Sequence, residues 1–292
     1  MKRYKFKQVD VFTRVPYMGN PVAVVLDAEG MDAVAMQRLA AWTNLSETTF
    51  VMPPGGAEAD YHLRIFTPGR ELPFAGHPTV GSAHAILEAG LISTESGRLI
   101  QECGAGLIEL EVIGNGTDRQ ILVTSPPPRI TSCPESLRGE LEQALDLTMA
   151  AHNIPLIVDV GPRWLVIECT GKQAVQELRP DLSRVSELSQ AHKLTGITAF
   201  GLTGQKEIPV YVRSFAPVEG IPEDPVCGSG NISVGAYLQH KGLLERTGHS
   251  YTANQGLELG RDGYVFVQTE PDSGIIRIGG HAVTCIDGYL RC

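Results

Sequence analysis

The chain has 292 residues, 42% hydrophobic and 20% charged, which is enough apolar material for a packed core and excludes a disordered chain. At about 100–200 residues per domain, that length predicts two domains. Against 33 Asp and Glu stand 24 Lys and Arg, a net charge of −9 with no basic run; this argues against nucleic-acid or anionic-membrane partners, whose binding rests on clustered cations.

In chain order, Phe6, Val9, Val11 and Phe12 alternate as a strand does, ahead of a turn at Met18-Gly-Asn-Pro21 and a β-branched run from Val22 to Leu26. The opening cations run straight into Gln8-Val-Asp10 with no apolar stretch, so no signal peptide is expected. Met36, Leu39 and Ala40 at helical spacing predict a helix over 31–42. Strands are expected at 48–51 and 61–67, then a loop, then a helix over 79–87 opened by Pro78, since proline favours the first helical position. Strands at 107–112 and 120–123 end at Ser125-Pro-Pro-Pro128, which marks a linker. Beyond it come a helix near 134–145, strands at 156–160 and 164–169, a helix at 172–177, strands at 199–202 and 210–215, a helix at 232–239, and strands to the end. The expected class is α+β with two domains, 1–125 and 126–280. No segment holds the roughly 18 consecutive apolar residues of a membrane-spanning helix, so the chain reads as soluble and cytoplasmic. Its six cysteines (Cys103, Cys133, Cys169, Cys227, Cys285 and Cys292) include no Cys-x-x-Cys pair and are expected as reduced thiols.

The two halves repeat. Arg64-Ile-Phe-Thr-Pro68 resembles Arg213-Ser-Phe-Ala-Pro217, Pro73-Phe-Ala-Gly76 aligns with Pro225-Val-Cys-Gly228, and Gly90-Leu91 falls on Gly242-Leu243. The predicted helix in each half carries no formal charge and many small residues, so each must be buried on every side. A sheet wrapped around a central helix in each half meets that demand.

Each central helix begins at a glycine loop, Gly76-His77 or Gly228-Ser-Gly-Asn231. The first N–H groups of a helix lack intrahelical acceptors and its dipole favours an anion, so either end suits a small carboxylate; the glycines equally serve to shape the turns. Gly228-Ser-Gly-Asn-Ile-Ser233 misses the dinucleotide-binding fingerprint at its third glycine and follows a proline-bearing loop. There is no phosphate-binding Gly-x-x-x-x-Gly-Lys-Ser/Thr loop and no Gly-x-Ser-x-Gly elbow. His77 and His84, seven residues apart, give only weak support to a metal site, and His84 reads as a core histidine. Glu47 admits two readings: with Asn44 it makes a capping box, or it is a partly desolvated acid at the mouth of an apolar strand, fit for proton transfer. Asp224 likewise reads as a ligand-binding acid or as a turn residue before proline.

Taken together, Val9-Asp-Val-Phe-Thr13, Gly19-Asn-Pro21, Leu45-Ser-Glu-Thr48, Phe66-Thr-Pro68, Pro73-Phe-Ala-Gly-His-Pro-Thr79 and Glu223-Asp-Pro-Val-Cys-Gly-Ser-Gly-Asn231 resemble the PhzF-like isomerases of phenazine biosynthesis over nearly the whole chain. The resemblance implies the diaminopimelate-epimerase-like fold: two pseudo-symmetric domains, each a mostly antiparallel sheet rolled around a central helix, with the last strand, about 281–292, returning to the first domain. It implies a cofactor-independent, metal-free isomerase and a homodimer. Its best-known member isomerises trans-2,3-dihydro-3-hydroxyanthranilate, one glutamate moving a proton between ring carbons. On that pattern Glu47 is the acid/base, and Gly76, His77, Asp224, Gly228, Ser229 and Gly230 bind a small carboxylate substrate, the amides of Gly228 and Gly230 facing its charge.

One position departs from many relatives, which carry Thr where this chain has Cys227. In two-thiol racemases of the same fold a cysteine stands there and another begins the matching first-half loop, where this chain has Ala75. The pair is incomplete. An amino-acid racemase or epimerase using Cys227 as second base opposite Glu47, its pKa lowered by the helix N-terminus, is the alternative; a non-catalytic metabolite-binding protein is another.

Overall fold

A computed structural model describes residues 2–149, 153–270 and 272–291. Cys292 lies outside the described residues. The chain divides into two compact units, residues 1–124 with 279–292, and residues 125–278.

The first unit contains β1 (Arg3–Val11), β2 (Asn20–Leu26), α1 (Ala33–Thr43), β3 (Thr48–Met52), β4 (Tyr61–Phe66), β5 (Glu71–Leu72), α2 (Gly76–Glu88), β6 (Arg98–Cys103), β7 (Gly106–Ile113) and β8 (Gln120–Thr124). The second contains β9 (Arg129–Ser132), α3 (Arg138–Leu145), β10 (Leu156–Asp159), β11 (Arg163–Cys169), α4 (Lys172–Gln176), α5 (Leu182–Ala191), β12 (Gly196–Leu202), β13 (Val210–Ala216), β14 (Ile221–Asp224), α6 (Gly228–His240), α7 (Leu244–Thr247), β15 (Ser250–Gln255) and β16 (Gly263–Glu270). β17 (Ile275–Gly280) follows, and the last strand, β18 (Ala282–Arg291), pairs with β1 in the first unit.

Strand pairing repeats between the units. In the first, β18 and β2 flank β1, β2 runs parallel to β3, β3 antiparallel to β4, β4 parallel to β6, and β6 antiparallel to β7. In the second, β9 and β11 flank β10, β11 runs parallel to β12, β12 antiparallel to β13, β13 parallel to β15, and β15 antiparallel to β16. Even the short hairpin strands correspond, β5 on β4 and β14 on β13. The class is mixed α+β, mostly sheet.

Each central helix lies inside its own sheet. α2 packs against β1, β2, β3, β8 and β18, and every residue from Gly76 to Ile86 is buried. α6 packs against β10, β11, β12 and β16. Small residues permit the approach: a Cβ on Gly81 would lie 2.4 Å from Cγ1 of Val22, so no larger residue fits there without moving the strand.

The structure corrects several expected boundaries. α2 starts at Gly76 and α6 at Gly228, each several residues ahead of the apolar periodicity. Glycines and polar residues fill these first turns, and Pro78 sits in the third helical position, where a missing N–H sacrifices no intrahelical bond. Asn44 does not begin a capping box: at φ 54° it closes α1 in the left-handed conformation, its N–H on Ala40 O. α5 has no counterpart among the expected elements. Its three serines mask a helix that Asp181 caps at two amides and that buries Val185 and Leu188.

Candidate active site

The expected site residues fall in both units. In the first, Glu47 ends the turn after α1 and leads into β3, whose Thr48 pairs with Ala23 on β2 and with Phe66 on β4. The carbonyl of Glu47 accepts from Ala23 N, which anchors the residue to the sheet. Its carboxylate is largely enclosed, and Oε2 lies 3.0 Å from Nδ1 of His77, the second residue of α2. That is ion-pair distance, off the line of a straight hydrogen bond. The structure thus brings Glu47, Gly76 and His77 together at the start of the buried helix. Phe12, held at φ 65°, brings its ring within 6.5 Å of the imidazole, and Ser46 donates to Asn20 Oδ1 beside Glu47. Both Phe12 and Asn20 belong to the segment 9–21, whose motif had no evident local role in the sequence; Asp10 fixes it by accepting from Gly19 N.

In the second unit, Cys227, Gly228, Ser229 and Gly230 form the start of α6, with Asp224 just ahead. Gln255 holds this loop: its Oε1 accepts from Cys227 N and Asn231 Nδ2, both at 3.1 Å, while its Nε2 donates to Asp224 O at 2.9 Å. Asp224 Oδ1 accepts from Val226 N, the turn role. Gly230 must be glycine, because a Cβ there would lie 2.5 Å from Ser214 Oγ. Ser229 is partly exposed and accepts a hydrogen bond at 3.0 Å from Nε1 of Trp164, which is buried on β11. Nothing in the sequence motifs points to Trp164 or Gln255; both lie on strands, and only the pairing of β11 and β15 with their neighbours carries them to the helix start.

Two expectations at this loop are corrected. Cys227 is the N-cap of α6, and its Sγ accepts from Gly230 N at 3.3 Å, so the Gly230 amide is engaged by the thiol and not presented to a ligand. Nor does the helix end acidify the thiol. Burial pushes its pKa well up, and the neighbouring Asp224 carboxylate adds to the rise, outweighing the Gly230 and Ser229 hydrogen bonds that favour a thiolate. The protonated thiol is thereby favoured at Cys227.

The repeat maps the two half-sites onto each other. Phe66 and Phe215 are equivalent in the matched motifs, and their cross-strand partners are Thr48 and Ile197. One residue back, Glu47 therefore corresponds to Gly196. Through the parallel pairs, Val22 corresponds to Trp164. A side chain at Gly196 is impossible, since its Cβ would lie 2.0 Å from Phe215 O. The acid exists in one half only.

At the far end of α2, His84 is buried and its pKa is lowered to about 4, chiefly by burial. This agrees with a core histidine; Thr284 Oγ1 lies 3.3 Å from its Nε2. Among the described residues, no three or more His, Cys, Asp or Glu side chains converge as a metal site, and no helix is long and apolar enough to cross a membrane.

Residues 9–288 match the family model described as "Phenazine biosynthesis-like protein". The chain is 40% identical over 297 residues to "Antisense-enhancing sequence 1" of Schizosaccharomyces pombe, with 99% of both chains covered. It is 33% identical over 280 residues to the trans-2,3-dihydro-3-hydroxyanthranilate isomerase of Pseudomonas chlororaphis, covering 94% of this chain and 95% of that one. The crystal structure of a PhzF-family protein from Bacillus anthracis matches with a TM-score of 0.87 at 27% identity, with all of both chains covered.

Proposed function

The chain belongs to the phenazine biosynthesis-like family and is an isomerase, and on that premise we propose that it moves a proton within a small amino- or hydroxy-carboxylate, using Glu47 as its single acid/base and no cofactor. Glu47 takes a proton from carbon, the C–H electron pair passes into the substrate's conjugated system, and the resulting carboxylic acid returns the proton to a second carbon. The product is an isomer and Glu47 ends as it began, so no oxidant, reductant or co-reactant enters the balance. His77, at 3.0 Å, holds the carboxylate in place. Gly76 at the start of α2, and Asp224, Gly228 and Ser229 around the start of α6, bind the substrate, whose carboxylate suits a helix N-terminus.

The observation that carries this reading is the one-sided acid. A largely enclosed carboxylate stands at Glu47, while its equivalent is Gly196, where no side chain fits. The second thiol of a two-thiol racemase is missing, Ala75 standing in its place, and the sulfur of Cys227 is engaged as the cap of α6. The substrate class rests on the isomerase of Pseudomonas chlororaphis named above. Replacing Glu47 with Gln, which keeps the shape and removes the base, is expected to lower turnover by about 10²–10⁴-fold while ligand binding survives. A variant near the wild-type rate would sink the assignment.

A further inference from the structure

In each unit, one side chain from an equivalent pair of parallel strands reaches the second residue of the central helix. In the first unit it is Glu47, whose Oε2 is 3.0 Å from His77 Nδ1. In the second it is Trp164, whose Nε1 is 3.0 Å from Ser229 Oγ. The large side chain has changed strands between the repeats: Val22 with Glu47 in one, Trp164 with Gly196 in the other.

An indole N–H can only donate, so in this bond Ser229 must accept. Its own O–H is then left to donate. The acceptor near it in the structure is Cys227 Sγ at 3.7 Å, a weak and distant one. Trp164 is buried on a strand held between β10 and β12, so the orientation it imposes is rigid. We propose that Trp164 is a positioning residue: by occupying one lone pair of Ser229 Oγ it orients the Ser229 O–H as a donor, so that the start of α6 takes an anionic oxygen, the carboxylate of the substrate. This rests on the assignment of Ser229 to substrate binding made above. Ser229 donates to the carboxylate oxygen that displaces the Cys227 contact, and the acid in one unit and the donor in the other thus occupy corresponding places in the repeat.

The chain has two tryptophans, and Trp42 is 78% exposed, so a Trp42→Phe variant assigns the remaining indole N–H signal in a nitrogen–proton NMR spectrum to Trp164. The probe is anthranilate, a stable amino-carboxylate. Ser229→Ala is expected to displace the Trp164 indole signal in the free protein, without disturbing the core. Anthranilate is expected to shift that signal in the protein with Ser229 and to leave it in place in Ser229→Ala. Trp164→Phe should weaken anthranilate binding about three- to tenfold, the worth of one oriented hydrogen bond, and should add nothing in the Ser229→Ala background. A merely structural role for Trp164 would weaken binding equally in both backgrounds and would overturn the proposal. So would an indole signal indifferent to Ser229→Ala. If Ser229→Ala weakens binding but Trp164→Phe does not, the proposal falls and the assignment of Ser229 stands; if anthranilate fails to bind, or binds equally well to Ser229→Ala, both fall.

Discussion

A carboxylate and a thiol, Glu47 and Cys227, lie in similar sequence surroundings, each next to a strand or helix end, and physics separates them. Glu47 retains slight exposure and a histidine at ion-pair distance. Cys227 is enclosed, caps a helix through its sulfur, and has a pKa pushed up by burial and by Asp224. A thiol that stays protonated is a slow nucleophile. Iodoacetamide near neutral pH is therefore expected to leave Cys227 unmodified in the folded protein, and Cys227→Ser, which supplies a better N-cap acceptor, is expected to keep the wild-type rate within a few-fold. Mass spectrometry of the alkylated protein and a rate measurement check this; loss of activity on modification at Cys227 would restore the thiol to the chemistry. The motif around Glu47 was legible in the sequence because family patterns mark it. The engagement of the Gly230 amide was not, because a cysteine acting as a cap looks the same in sequence as a reactive one.

At the scale of elements, the duplicated Arg-x-Phe-x-Pro motif places the same fork in two environments. Arg64 Nε and Nη2 donate to the two oxygens of Glu71, both at 2.7 Å, tying β4 to β5; Arg213 Nε and Nη2 donate to Glu223 at 2.8 and 2.9 Å, tying β13 to β14. Each guanidinium lies over the motif's own phenylalanine. The second fork is enclosed, with side-chain exposures of 5% and 12% against 23% and 41% for the first, and Arg213 also donates to the carbonyls of Val175 and Leu178. Arg213→Ala is therefore expected to destabilise by about 3–5 kcal/mol, since it strands a buried charge. Arg64→Ala should cost about 0–1 kcal/mol, as exposed pairs do. Urea unfolding of both variants tests the contrast, and equal losses would contradict it. The repeat itself was readable from these motifs, and so were the two central helices, although α2 runs on to the charged Glu88. Their true starts were not: first turns made of glycine, proline and polar residues show no apolar period, and it is burial by the surrounding strands that makes them helical. α5 escaped for the related reason that its helix depends on packing Val185 and Leu188.

For the whole molecule, two units of one strand arrangement hold unlike side chains, and the first of them buries a titratable histidine on its central helix. His84 is buried on α2 and titrates at about 4 in the fold against an ordinary histidine value of 6.5, so the unfolded chain holds more protons between those values. Stability is consequently expected to fall as pH drops from about 6.5 toward about 4, and His84→Gln should flatten that decline. Glu88 acts in the same direction below its ordinary range: burial alone would raise its pKa, but hydrogen bonds from Lys7 and Thr284 draw it down, so its contribution is lost only on further acidification. Unfolding midpoints across the range from neutral to mildly acid pH, wild type against His84→Gln, measure this, and parallel curves would contradict it.

The proposed function stands or falls on Glu47 alone moving the proton. Proton NMR in D₂O reads that step directly, on trans-2,3-dihydro-3-hydroxyanthranilate and related amino-substituted carboxylates, with wild type and Glu47→Gln side by side. The expected result is isomer formation in the wild type, with deuterium at the carbon that gains a proton in proportion to how far the protonated Glu47 exchanges with solvent before it returns the proton, and rates lower by about 10²–10⁴-fold in the variant. Isomer forming as fast with Glu47→Gln, or no isomer from any of these compounds with the wild type, would contradict it.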